Sequence, residues 1–113
     1  MDTATPHRPP TGAFVPAGPS TEGYNDAMQK MMADMGKPYT GDPDTDFVTH
    51  MIPHHQGAID MAEIELKYGH DRTLKQLAAK IISAQQHEIG QMQSWLEKHP
   101  AKPAGANIKP YAR

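Results

Sequence analysis

The sequence predicts an all-α protein, a helical bundle of two long antiparallel helices and a shorter, methionine-rich N-terminal helix, completed by dimerisation. Three observations lead there. Apolar residues recur at spacings of three and four from Phe47 to Leu66 and from Leu74 to Trp95, which is a helical and not a strand period. No segment alternates polar and apolar residues as a half-buried strand does. Stop signals, Gly36 with Pro38, then Gly69, then Pro100, cut the periodic stretch into three.

The first helix is expected from about Glu22 to Met35, with Thr21 as its cap. Asp42 is a good N-cap for the second, Pro43 suits its first helical position, and Asp44 and Asp46 complement its dipole. It should end near Tyr68, with Gly69 as a left-handed stop. The third is capped by Asp71 and runs to about His99. Residues 1–20 and 100–113, rich in Pro, Gly, Ala and Lys, read as mobile tails around a helical domain of residues 21–99. A core of that size is marginal alone, and a partner subunit or a metal commonly completes it.

The short link at Gly69–His70 makes helices two and three a hairpin. Helix two offers two seams at heptad-like spacing: Phe47, Met51, His54, Ala58, Met61, Glu65, and beside it Val48, Ile52, His55, Ile59, Ala62, Leu66. Helix three offers Leu74, Ala78, Ile81, Gln85, Glu88, Met92 and Trp95. Counting outward from the turn sets His54 level with about Gln85, Met51 with Glu88 and Phe47 with Met92. Pro53 removes a hydrogen bond to the Thr49 carbonyl and should kink helix two, re-aiming the histidines that follow it.

Composition excludes several functions. A net charge of −2 provides no basic stripe for nucleic acid. Without cysteine there is neither a disulfide nor a thiolate metal site. No long apolar run marks a signal peptide or a membrane span. A phosphate-binding glycine loop, a nucleophile elbow and zinc-protease or Glu-x-x-His motifs are all missing, so no enzyme is expected.

What remains is an excess of eight methionines and seven histidines in 113 residues. Within Met51–Ala62, MIPHHQGAIDMA, the side chains of Met51, His54 and Met61 share a helix face. Imidazole and thioether together suit a soft or borderline metal, copper above all, and thioether survives where thiols oxidise. His54 and His55 are the leading candidate ligands, with His50 four residues from His54, the usual helical chelate spacing. Met51, Met61 and Met92 are candidates by their level, although methionine is also a common core filler. Met28, Met32 and Met35 form a further stripe on a first helix that lacks Leu, Ile and Val altogether. Glu88 would orient a histidine, ligate directly, or pair with His54 across the hairpin. Asp46 reads as a dipole residue rather than a partner of His50.

The runs DPDTDFVTHMIPHHQGAIDMAEIELKYG and LKQLAAKIISAQQHEIGQMQSWL resemble a bacterial family. It is the domain-of-unknown-function family numbered three hundred and five, which includes the copper-binding protein CopM. The resemblance covers roughly Tyr39 to Leu96, and Asp46, Phe47, Met51, His54, His55, Met61, Glu88, Met92 and Trp95 occupy its characteristic positions. It implies a ferritin-like bundle and export to the periplasm, although this chain shows no signal sequence. The expected function is an exported copper-binding protein that buffers, stores or shuttles Cu(I) in metal resistance or homeostasis. Ag(I) would act as a mimic, Cu(II) would be tolerated through the histidines, and a copper-transfer protein would be a partner. The competing expectation is a metal-free dimeric helical interaction module.

Overall fold

The computed structural model describes residues 18–100, and the expected tails lie largely outside them. Three helices follow in order: α1, Pro19–Met35; α2, Pro43–Tyr68; α3, Arg72–Lys98. No strand occurs among the described residues, so the bundle-like, all-helical class is as expected.

The starts of the long helices follow local chemistry. The Asp42 carboxylate accepts from the Thr45 amide at 3.2 Å, and that of Asp71 accepts from the Leu74 amide at 2.9 Å. Helix α1 departs from expectation. It begins at Pro19 with Gly18 in the cap position, so Thr21 lies inside the first turn and caps nothing. Pro19 brings a φ already fit for a first helical position, and Glu22 donates its amide to the Gly18 carbonyl at 2.9 Å. The helical domain therefore extends into the segment read as a tail.

Gly69 is a second correction. Its φ of −72° and ψ of 162° are extended, not left-handed. A Cβ at Gly69 would stand 2.6 Å from the Glu65 carbonyl oxygen and would also meet the Glu65 carboxylate. Glycine serves there for room. The one positive φ among the described glycines is at Gly41, 94°, in the α1–α2 connection.

Helix α2 packs against both α1 and α3, and the two outer helices do not pack on each other. Successive residues turn by about 100°. By that phase, Pro53, Gly57 and Ile64 point toward α1, and Val48, Ile59 and Ala62 point the opposite way, toward α3. The three helices thus form a single layer with α2 in the middle. The core is thin: its buried apolar side chains are Ala27, Val48, Ile59, Ala62 and Ala78, and no large side chain is fully buried among the described residues. Val48 and Ile59 contribute most of it, each worth about 1.5–3 kcal/mol on burial.

Contact between α1 and α2 depends on glycine at two levels. A Cβ on Gly23 would lie 3.2 Å from the Ile64 Cδ1, and one on Gly57 would lie 2.7 Å from the Met31 sulfur. These pairs also fix the antiparallel register of the two helices. Pro53 is buried, and α2 continues helical through it to Tyr68.

Candidate metal-binding face

The α2–α3 register is set by one cross-helix pair. His55 Nε2 lies 2.6 Å from Glu88 Oε1, with side-chain exposures of 12% and 49%. The pairing falls one helical turn from the expected one, which set Met51 rather than His55 at the level of Glu88. Its cause is the connection. Gly69 and Asp71 are both extended, so the chain runs on past the end of α2 before reversing, and α3 starts about 4.5 Å beyond Tyr68 at 1.5 Å per residue. The same offset brings Met51 level with Met92, both half-buried.

Of the two α2 seams, only the second meets α3. Val48, Ile59 and Ala62 are buried, and Ile52, His55 and Leu66 are half-buried. The first seam faces outward: Phe47, His54 and Met61 are exposed, and Met51, Ala58 and Glu65 are half-buried. The expected meeting of His54 with the polar residues of α3 inside the hairpin does not occur. The branched aliphatic seam took the interior, since its side chains bury well against a facing helix.

Helix α1 adds to that outward face. The groove on the other side of the α1–α2 contact is lined by Asp26, Lys30, Asp60, Glu63 and Lys67. By helical phase, Tyr24, Met28, Met32 and Met35 then lie on the side shared with His54 and Met61. Met28 is 49% exposed, Met32 65% and Met61 50%. In the register fixed by Gly23–Ile64 and Gly57–Met31, Met28 comes level with Met61, and Met35 with His54. The fourth methionine of α1, Met31, turns inward over Gly57.

The histidines divide by what engages them. His54 is exposed, with its ring on the open face. His55 donates from Nδ1 to the Met51 carbonyl oxygen at 3.0 Å while Nε2 faces Glu88, so both ring nitrogens are in use. His50 sits 2.9 Å from the Asp46 carbonyl oxygen by Nδ1 and 3.0 Å from the Lys37 carbonyl oxygen by Nε2. Its ring stacks on Tyr39 with centroids 4.5 Å apart. These contacts aim both His50 nitrogens at backbone carbonyl oxygens, away from the methionine stripe, and they bind the α1–α2 connection to α2. Sequence reasoning missed that role, because the acceptor is a backbone carbonyl in an irregular segment.

Asp46 belongs to the same anchor. Its carboxylate accepts from the Thr40 amide at 2.8 Å, the Thr40 hydroxyl at 2.9 Å and the Gly41 amide at 3.1 Å. Desolvation pushes this carboxyl up, but the hydrogen bonds from Thr40 and Gly41, with a smaller contribution from His50, hold it below its ordinary value. Its main work is thus to pin the connection, beyond complementing the helix dipole.

No group of three or more His, Asp or Glu side chains able to hold a metal occurs among the described residues. The donors that the fold does gather on this face are thioethers and one imidazole, spread along an open surface, with a single α2 carboxylate, Glu65, at its end beside Gly69. Such a set has little to offer a hard cation and suits a soft one.

Comparison with known proteins bears out the family resemblance. The profile of the family described as "Domain of unknown function (DUF305)" matches residues 44–111, more than half of the chain. A curated relative, "Uncharacterized protein L153" of Acanthamoeba polyphaga mimivirus, is 42% identical over 55 residues, which are 49% of this chain and 36% of that protein. The matched stretch therefore spans only about a third of the relative's length.

Proposed function

This chain belongs to the DUF305 family, and we propose that it is a copper-binding protein that buffers, stores or shuttles Cu(I), with Ag(I) as a mimic. The observation that carries the reading is the exposed stripe of Met28, Met32 and Met61 beside His54. Methionine is a residue that folding ordinarily hides. Leaving three of them 49–65% exposed forgoes stabilisation of about 1.5–3 kcal/mol for each that could have been buried. Accessible thioether sulfur supports reversible capture of a soft cation, because a ligand exchange partner can reach it.

In this reading Met28, Met32, Met61 and His54 are the primary donors. Met35 lies beside them on α1, and Met51 and Met92 extend the stripe toward α3. His55 and Glu88 hold the hairpin in register, and His50 holds the α1–α2 connection. Imidazole from His54 also lets Cu(II) be tolerated. Export to the periplasm, a role in metal resistance and hand-over to a copper-transfer protein belong to the same proposal. They are supported by the absence of cysteine, since thioether is the sulfur ligand that withstands an oxidising compartment.

Cu(I) titrated against a chromophoric chelator under reducing, anaerobic conditions tests this. Competition by the wild type is expected, with affinity lowered about tenfold or more when Met28, Met32 and Met61 are replaced by Leu, which keeps their bulk. A wild-type protein that leaves the chelator complex intact removes the reading. A second reading, a metal-free dimeric interaction module, draws on the exposure of Phe47, Leu74 and Leu77, which carry no donor atom.

A further inference from the structure

We infer that the open face bearing the methionine stripe is the contact surface for a second copy of this chain, which closes two three-helix layers into one body. The inference deepens the copper reading and uses the same face, but it rests on separate observations.

The first is how charge is distributed. By helical phase the charged side chains on this face are two, Glu65 on α2 and Glu88 on α3, and no lysine or arginine of the three helices joins them. Lys30 and Lys67 line the opposite groove. Arg72 and Lys75 fall on that opposite side too, and Lys80 and Lys98 fall on the outer edge of α3. Depletion of charge at the centre of a surface is what separates interface cores from ordinary surface.

The second is area. Nearly all the exposed large apolar side chains, Tyr24, Met28, Met32, Phe47, Met61, Leu74 and Leu77, fall on this face, with Tyr39 apart from them in the α1–α2 connection. Their exposed surface sums to roughly 700 Å², close to the ~800 Å² that each partner buries in a standard interface. A monomer seldom leaves an apolar patch of that extent in water.

The third is shape, which selects the occupant. Three helices side by side at 8–10 Å spacing present a flat surface about 25–30 Å wide. A single amphipathic helix, about 10 Å across, would fill one groove and leave the rest wet. Another three-helix layer matches the width. With the copies face to face, the partner brings a second set of soft donors to the seam, and exchange of a cation at Met28, Met32 and Met61 then runs through the separated copies.

Sedimentation velocity on the full chain across a hundredfold concentration range, in chelator-treated buffer, reads the outcome. A dimer is expected, with its dissociation constant raised about tenfold or more by Phe47→Glu and by Leu77→Glu, both exposed residues on different helices. Gln86→Glu, on the opposite side of α3, should leave it unchanged, and circular dichroism should show the same helix content in all three. A monomer at every concentration overturns the inference. So does a dimer indifferent to both substitutions, or a monomer that instead binds vesicles of neutral and anionic phospholipid. A metal-free dimer that never takes up Cu(I) sustains the interface and removes the copper reading. Cu(I) uptake by a persistent monomer does the reverse.

Discussion

Replacing Gly57 by Ala tests whether Met31 is a packing group, in contrast to its exposed neighbours. Two opposed effects meet at this position. Alanine is better than glycine in a helix interior by about 1 kcal/mol. The new Cβ, however, would stand 2.7 Å from the Met31 sulfur and 3.3 Å from its Cγ, against an ordinary contact of about 3.5–4.0 Å. Sulfur near the end of a flexible chain can swing aside, but Cγ lies close to the α1 backbone, so part of the strain reaches the helix. Overpacking of this kind costs about 1–3 kcal/mol. With about 2 kcal/mol against and about 1 kcal/mol in favour, Gly57→Ala should destabilise the protein by about 1 kcal/mol, a fall of roughly 4–8 °C in Tm for a domain of this size. In a Met31→Ala background the obstruction is gone, and the same substitution should stabilise by about 1 kcal/mol. The coupling between the two sites is then about 2 kcal/mol, read from urea unfolding of the four proteins at one fixed concentration. If Gly57→Ala raises stability equally in both backgrounds, Met31 does not lie over Gly57 and the α1–α2 register given above is wrong.

Two further predictions concern the other contacts that place the face. A double-mutant cycle of His55→Ala and Glu88→Ala should show a coupling of about 0.5–1 kcal/mol, discounted because the Glu88 side chain is 49% exposed; a cycle of His54→Ala with Glu88→Ala should show none, and the opposite pattern would restore the register expected from sequence. For Asp46, a carboxyl held below its ordinary value of 3.8 contributes stability that is present above that pH and is lost as pH falls through the lower folded value. Asp46→Asn should therefore lower Tm at neutral pH, and its deficit should shrink on acidification below about pH 3.8; a deficit of constant size would show that the charge is not what pins Thr40 and Gly41.

The helix boundaries that could be read from sequence are those fixed by adjacent residues. Asp42 and Asp71 cap because a carboxylate three residues before an amide needs no tertiary help. The start of α1 was misread because Thr21 is as good a cap on paper as Gly18–Pro19 is a start, and only the folded chain chooses. The seams of α2 were legible as seams, but not which one would be interior. Both carry apolar residues, although the one with Val48, Ile59 and Leu66 has the better core formers, a signal that was there to use. The register escaped because periodicity carries no information on how far an extended Gly69–Asp71 link travels before it reverses. Among the site residues, the shared face of Met51, His54 and Met61 follows from spacing alone. That Met28 and Met32 stand on that same side required knowing which flank of α1 meets α2. The contacts of His50 escaped for the same kind of reason: its partners, the Lys37 carbonyl and the Tyr39 ring, come from a segment without periodicity.

Because the outer helices each touch only α2, neither depends on the other for its place. Loosening of α1 forfeits contacts with α2 alone, and loosening of α3 likewise. Any influence of one outer helix on the other has to be relayed through the middle one, whose two contact surfaces are set half a turn apart and separately built, by glycines on one side and by branched aliphatics on the other. The described helices are laid out like the panels of a folding screen, with the central panel as their shared frame.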